Sequence, residues 1–132
     1  MVIVEGTIKA KARPRFNTKT GHAVTPKDTV NYENWVKICY QQQDGKHIDG
    51  PARATINIYY KVPKSYTKKR LKAIRDGIDY PCKKPDADNV AKIILDSLNK
   101  IAYDDDSQVV ELMVNKLWTE ELERVEFELT GV

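Results

Sequence analysis

The sequence has only two cysteines, two histidines and no long apolar run, and each scarcity excludes a class of protein. Cys39 and Cys82 lie 43 positions apart, which is neither a zinc-finger spacing nor a disulfide framework. Free thiols are typical of a reducing compartment, so we expect a cytoplasmic protein. Apolar runs as short as Ile93-Ile94-Leu95 cannot span a membrane, and the N-terminal residues lack the basic flank of a signal peptide.

Glycine and proline are also scarce, at six each in 132 residues, and they form no linker-like or low-complexity stretch. Hydrophobic residues make up 41% of the chain, which is too apolar for a disordered protein. That content is enough to form a core without disulfides or a structural metal. We therefore expect residues 1–132 to form one domain.

Charge is divided unevenly along the chain. Residues 1–84 carry a net charge of +11, whereas residues 85–132 carry a net charge of −8. The basic half contains two clusters, Lys9-Ala10-Lys11-Ala12-Arg13-Pro14-Arg15 and Lys68-Lys69-Arg70. Such basic clusters are often only solvated faces, but they can also bind a polyanion. The acidic half would repel a polyanion unless a cation lay between its carboxylates and the polyanion. A basic surface around an acidic pocket is typical of a metal-dependent enzyme that acts on nucleic acid.

Hydrophobic periodicity predicts four strands and three helices. Strands are expected at 2–8, 53–62, 109–118 and 124–130. Helices are expected at 29–43 after an Asp28 cap, from Ser65 to about Gly77, and over about fourteen residues from Asp86. A polar loop covers 11–27, and Thr119-Glu120-Glu121 is expected to form a hairpin turn. The expected fold is a mixed α/β domain of the α+β type, with helices covering a small, mixed and largely antiparallel sheet.

Alternation within these elements predicts which side chains share a face. In the first helix, the residues expected near one face are Tyr32, Trp35, Val36 and Cys39. In the second strand, the residues that alternate with polar neighbours, and so share one face, are Ala54, Ile56, Ile58 and Tyr60. The third strand carries on one face Val110, Leu112, Val114 and Trp118, and the last strand directs inward Val125, Phe127 and Leu129.

The acidic half concentrates the residues that carry chemistry. In the helix that follows Pro85, an arc of roughly 80° contains Asp88, Lys92, Asp96 and Asn99, opposite an apolar side. The loop after this helix delivers Asp104, Asp105 and Asp106. Converging carboxylates repel one another, and a divalent cation such as Mg²⁺ removes that penalty.

Metal-assisted hydrolysis is the chemistry that this set of residues can perform, since no serine, cysteine or histidine arrangement indicates a covalent nucleophile. Lys92 would then stabilise negative charge on a phosphate. Structural interpretations stay open beside it. Asp86 is typical of a helix N-cap, and the three consecutive aspartates are typical of a solvated turn. Lys92 is typical of an ion pair with Asp88 or Asp96 at one-turn spacing.

Across this segment the sequence resembles the RusA family of Holliday junction resolvases, endodeoxyribonucleases that phages and prophages often carry. The matching residues are Lys84-Pro85-Asp86-Ala87-Asp88-Asn89-Val90-Ala91-Lys92, then Asp96-Ser97-Leu98, then Tyr103-Asp104-Asp105-Asp106-Ser107-Gln108-Val109-Val110-Glu111. The basic start of the chain and Thr25-Pro26-Lys27 also look like many family members, whereas residues 40–80 match only in outline.

The resemblance implies a role for each matching residue. Asp86, Asp88 and Asp106 match the metal-binding carboxylates, and Lys92 matches the catalytic lysine. Supporting positions around them are Asn89, Asp96 and Asp105. It further implies Mg²⁺ as cofactor, with Mn²⁺ as a substitute, and a homodimer that cuts two strands of a four-way junction in recombination and repair. Candidate contacts to the DNA backbone are Arg13, Arg15, Lys19, Lys27, Lys68, Lys69, Arg70, Lys83 and Lys84.

Two alternatives stay open: one is not an enzyme, and the other is a nuclease that acts on more kinds of DNA. One is a non-catalytic protein that binds DNA junctions, against which the intact carboxylates and Lys92 argue. The other is a metal-dependent nuclease with a broader range of substrates. No membrane partner is expected.

Overall fold

The computed structural model describes residues 1–11, 15–16, 23–24 and 27–132, so most of the expected 11–27 loop lies outside the described residues. The elements in chain order are β1 (Val2–Glu5), β2 (Arg15–Phe16), β3 (Ala23–Val24), α1 (Lys27–Gln43), β4 (Ala52–Lys61), α2 (Lys68–Arg75), α3 (Ala87–Ser97), β5 (Val109–Thr119) and β6 (Arg124–Gly131). A 3₁₀ turn, Asp106–Gln108, leads directly into β5. β2 and β3 pair with each other, and the other four strands form one sheet. The α+β fold class is confirmed.

The four-stranded sheet has the order β1-β6-β4-β5. β6 runs antiparallel to both of its neighbours, whereas β4 and β5 run parallel. The expectation of a mixed, largely antiparallel sheet is therefore correct. The expected hairpin between the last two strands is wrong, because β4 lies between β5 and β6.

The turn that follows β5 instead crosses the end of β4. The Val62 amide donates to the Thr119 carbonyl at 2.9 Å, and the Lys61 amide donates to the Glu123 carboxylate at 3.2 Å. Short local turns favour hairpins, but this crossing gives β4 a hydrogen-bonded neighbour on both sides. The strand with the longest apolar alternation thus occupies the centre of the sheet.

Helices α1 and α3 pack on one face of the sheet, which we call the helix face. The inward residues predicted for β4 and β6 are all buried there, and Tyr40 of α1 stacks on Phe127 with ring centroids 6.2 Å apart. The expectation for α1 is wrong at Trp35, whose side chain is 43% exposed because its indole donates to the Glu5 carbonyl at the sheet edge. Val110 and Leu112 share a face with Val114 and Trp118 as expected, yet they are exposed because β5 is an edge strand.

The helix ends differ from the expected ends by a few residues. α1 begins at Lys27, so Asp28 lies inside its first turn, and α2 is capped by Thr67, whose hydroxyl accepts from the Arg70 amide at 3.3 Å. α3 begins after Asp86 as expected but has 11 residues, since the chain leaves the helix at Leu98. No helix in the described ranges is long and apolar enough to cross a membrane.

Truncation of a central core side chain tests this packing. Ile56 is fully buried on the helix face, so Ile56→Ala should lower the free energy of unfolding by about 3 kcal/mol through lost contacts and a cavity. Ile78 is 73% exposed, and Ile78→Ala should stay within about 0.5 kcal/mol of the parent chain. Urea unfolding measures both, and equal effects would contradict this assignment of the core.

Candidate active site

Helix α3 presents a row of charged side chains on its side away from the core. Asp86 occupies the N-cap position, and its carbonyl accepts from the Val90 amide at 3.1 Å. Its carboxylate makes no capping hydrogen bond, so the helix does not use that side chain. Asp88 lies in the first turn, and Lys92 and Asp96 follow at one-turn intervals on the same side.

The loop between α3 and β5 turns the chain back toward this row. Lys100 has a φ of +68° and donates its amide to the Tyr103 carbonyl at 2.8 Å. The buried Tyr103 hydroxyl donates to the Leu95 carbonyl at 2.7 Å, and Asn99 accepts from the Asp106 amide at 2.8 Å. These contacts fix the position of Asp106 beside α3.

Gln108 anchors the other end of the same loop. Its side-chain oxygen accepts from the amides of Asp104 and Asp105 at 2.9 and 3.2 Å, and its nitrogen donates to the Gly50 carbonyl at 2.8 Å. Asp105 caps the 3₁₀ turn by accepting from the Ser107 amide at 3.0 Å, and hydrogen bonding to Ser107 lowers the pKa of this carboxyl. In the structure Asp105 is the cap of this turn, and its role as a supporting residue of a metal site stays a prediction.

These elements together enclose an open cavity of about 630 Å³. Its polar side consists of Asp88, Lys92, Asp96 and Asp106. Its apolar side consists of Ala91, Leu95, Leu112 and Val114. Sequence reasoning identified the polar side but missed the apolar side, since alternation in β5 does not reveal that its first half borders a cavity.

The carboxyl groups of Asp96 and Asp106 are neighbours on the wall of this cavity. Burial raises the pKa of Asp106, and the hydrogen bond to Asp96 together with the negative charges of Asp96 and Asp105 raises it further. Neighbouring negative charges make the ionised form of Asp106 less favourable. The cavity is therefore a place where additional positive charge is favourable.

Lys11 already supplies one positive charge to this cluster, a contact that the sequence did not reveal. Its ammonium lies 3.0 Å from Glu33 and 3.5 Å from Asp96, and its amide donates to the Asn89 carbonyl at 3.1 Å. Burial opposes the charged form, but the hydrogen bonds and charges of Glu33 and Asp96 raise the pKa of Lys11 overall. Lys92, in contrast, takes part in no ion pair within the described ranges, contrary to the structural alternative for it.

Three of the matching aspartates do not line this cavity, namely Asp86, Asp104 and the capping residue Asp105. Asp86 borders a neighbouring hollow with Lys84, Pro85 and Asn89. Asp104 is exposed, and its carboxylate lies 3.4 Å from His47. The structure thus brings together Asp88, Lys92, Asp96 and Asp106, with Asp86 at the adjacent end of the helix.

The segment before Asp86 is held by contacts from β5. Lys116 donates to the Lys83 carbonyl at 2.6 Å, and the Trp118 indole donates to Asp79 at 2.9 Å. Tyr60 donates to the Pro85 carbonyl from the centre of the sheet. The N-terminus of α3 is therefore fixed against the helix face from two strands.

The chemistry of the cavity fits a hydrated divalent cation. Within the described ranges, no three histidine, cysteine or acidic side chains are grouped as a ready-made metal cage. Mg²⁺ does not need such a cage, because it keeps several waters and binds through one or two carboxylates and substrate phosphates. Asp88 and Asp106 offer such oxygens on one cavity, and a cation there would relieve the repulsion between Asp96 and Asp106.

Several of the predicted DNA contacts cannot be placed. Arg13 and Lys19 lie outside the described residues, and only the backbone of Arg15 is described. The predicted lysines that are described all have exposed side chains, namely Lys27, Lys68, Lys69, Lys83 and Lys84. Arg70 is partly used within the chain, since its guanidinium lies 3.9 Å from the Tyr66 ring centroid and 3.2 Å from Asp79.

The fold and the cavity define an α+β protein with a carboxylate-lined site, and comparison with known proteins identifies its family. A family model described as Endodeoxyribonuclease RusA matches residues 5–130. The chain is also 36% identical over 123 residues to the uncharacterised protein YqaN of Bacillus subtilis (strain 168), covering 89% of this chain and 87% of that relative. The chain belongs to the RusA endodeoxyribonuclease family, as the motif predicted. The family consists of nucleases that act on junction DNA.

Replacement of Lys11 tests its contact with the acidic cluster. Lys11→Met keeps the length of the side chain but leaves Glu33 and Asp96 without their cation, so the free energy of unfolding should fall by about 1 kcal/mol. Lys9 is exposed, and Lys9→Met is the matched control, for which we expect little change. The two variants are compared by urea unfolding at neutral pH. Equal stability of the two would show that the contact contributes nothing.

Proposed function

We propose that the chain is a Mg²⁺-dependent Holliday junction resolvase that makes paired nicks in four-way DNA junctions. The observation that carries the proposal is the convergence of Asp88, Asp106 and Lys92 on one open cavity. A site that both holds oxygen ligands and presents a free cation is suited to a phosphodiester, which carries negative charge and gains more as it is attacked.

The position of each residue on the cavity indicates its role. Asp88 and Asp106 would hold the cation, with Asp86 available from the N-terminus of α3. When bound, Mg²⁺ supplies an activated water and neutralises charge on the phosphate oxygens. Lys92 stands one turn beyond Asp88 on the same cavity, where its ammonium can bind a non-bridging phosphate oxygen and stabilise the extra charge of the transition state. Asn99 holds the backbone of Asp106 beside α3, and Lys11 balances the charge of Asp96.

Recognition of the junction is assigned to its backbone and shape. Lys68 and Lys69 on α2, and Lys83 and Lys84 just before Asp86, have exposed side chains that could bind the DNA backbone. Such contacts position the DNA without reading its sequence, and the four-way geometry supplies selectivity. Because the junction is two-fold symmetric, a homodimer would present one site to each of the two strands that are cut.

A nicking assay on a synthetic mobile four-way junction tests the proposal. With Mg²⁺ we expect paired nicks on the junction, none on a linear duplex of the same sequence, and none on either in EDTA. Equal cutting of the linear duplex would favour a nuclease of broader range. Tight binding without cutting in Mg²⁺ or Mn²⁺ would favour a non-catalytic junction-binding protein.

A pair of matched variants tests the site within this assay. Asp88→Asn removes a cation-binding carboxylate from the cavity, so the cutting rate should fall by about 100-fold or more while junction binding persists. Asp104→Asn changes an exposed aspartate outside the cavity and should cut at the parent rate. The site assignment fails if Asp88→Asn cuts as fast as Asp104→Asn.

A further inference from the structure

Lys11 meets two carboxylates that belong to different helices. Its ammonium lies 3.0 Å from Glu33 of α1 and 3.5 Å from Asp96 of α3. The side chains are 23% exposed for Lys11, 18% for Glu33 and 22% for Asp96. Solvent and salt screen partly buried charges less than charges on an open surface. The ammonium therefore affects both carboxylates more strongly than a solvated surface lysine would.

The backbone fixes the segment that delivers this ammonium. The Lys11 amide donates to the Asn89 carbonyl of α3 at 3.1 Å, and the Ile8 amide donates to the Glu123 carboxylate at 2.9 Å. Burial opposes the charged form of Lys11, but the hydrogen bonds and charges of Glu33 and Asp96 raise its pKa overall. A charged group is thus held in one place at the edge of the candidate site.

The charges in and around the cavity define the effect of this ammonium. The cavity carries three aspartates and Lys92, and Lys11 and Glu33 adjoin it through Asp96. With every group ionised, these four carboxylates and two ammonium groups leave a net charge of −2, which one divalent cation balances. Without Lys11 the same groups carry −3, and the cavity attracts cations more strongly.

We propose that Lys11 is a positioning residue, which holds Asp96 as its counter-ion and thereby directs the divalent cation to Asp88 and Asp106. The inference rests on the proposed function, because it concerns the cation of that site. Asp96 borders the same cavity as the other two aspartates, so without Lys11 it would be a third carboxylate free to bind the cation. Each additional carboxylate replaces a water or a phosphate oxygen on Mg²⁺, which accepts six ligands at most.

Glu33 limits how far Lys11 neutralises Asp96. It lies nearer to the ammonium than Asp96 does, so the positive charge is divided between the two carboxylates. Asp96 consequently still adds negative potential to the cavity, while its carboxylate stays with Lys11. Loss of Lys11 and loss of Glu33 should therefore change cation binding in opposite directions.

The affinity for Mn²⁺, measured by electron paramagnetic resonance on the full chain without DNA, tests the proposal. Lys11→Met removes a positive charge and releases Asp96, so the dissociation constant should fall by about 10-fold. Glu33→Gln removes a negative charge and leaves Lys11 to Asp96 alone, so the constant should rise by about 3-fold. Lys9→Met, the matched control on an exposed lysine, should stay within about 2-fold of the parent. Thermal melting followed by circular dichroism identifies any variant that fails to fold.

A double substitution tests whether the effect of Lys11 passes through Asp96. In an Asp96→Asn background no carboxylate is released at this position, so the gain in affinity from Lys11→Met should shrink from about 10-fold to about 3-fold. The remainder reflects the lost positive charge alone. A gain of the same size in both backgrounds would show that Lys11 acts only as a general charge, and it would overturn the proposed positioning.

The nicking rate at saturating Mg²⁺ separates positioning from support of the fold. Lys11→Met should cut the junction about 10-fold more slowly although it binds the cation more tightly, because a cation shared with Asp96 is misplaced for the phosphate. A variant with both lower affinity and a lower rate would overturn the inference, as would equal Mn²⁺ affinities of Lys11→Met and Lys9→Met. A parent chain that shows the expected affinities but cuts no junction would instead overturn the proposed function, and one that binds no Mn²⁺ would overturn both.

Discussion

The candidate site depends on the proximity of Asp96 and Asp106, two carboxyl groups that the fold places on one cavity although they repel. The loop that carries Asp106 is anchored at both ends, by Asn99 and the buried Tyr103 beside α3 and by Gln108 beside β5. Because none of these anchors is itself a charged group, they do not neutralise the pair. The structure therefore concentrates negative charge at the cavity and leaves its compensation to cations.

Two kinds of cation are available to the cavity, and they have different consequences. Lys11 reaches Asp96 from the N-terminal segment and connects it to Glu33 of α1. That contact leaves Asp88 and Asp106 facing the cavity, where a divalent ion and a phosphate can meet them. Lys92 completes the charge balance from the other side. The arrangement explains why a strongly acidic segment belongs to a chain that is otherwise basic and suited to DNA.

Local patterns predicted those parts of the fold that depend on neighbouring residues. The alternation in β4 and β6 identified buried faces correctly, and the 3.6-residue period placed Asp88, Lys92 and Asp96 on one side of α3. The order of the strands was not predictable in this way. The turn after β5 favours a hairpin locally, yet burial of β4 between two strands outweighs that preference. Likewise no local pattern relates Lys11 to Asp96, since they are far apart in sequence and meet only through packing of α3.

The most direct test of the central claim is to locate a metal ion in the cavity. Crystals of the parent chain soaked in Mn²⁺ would show its position by anomalous scattering. We expect a peak about 2.1 Å from carboxylate oxygens of both Asp88 and Asp106, which should be lost in Asp88→Asn. A cavity without a peak, or a peak only at the exposed group of His47, Asp49 and Asp104, would contradict it.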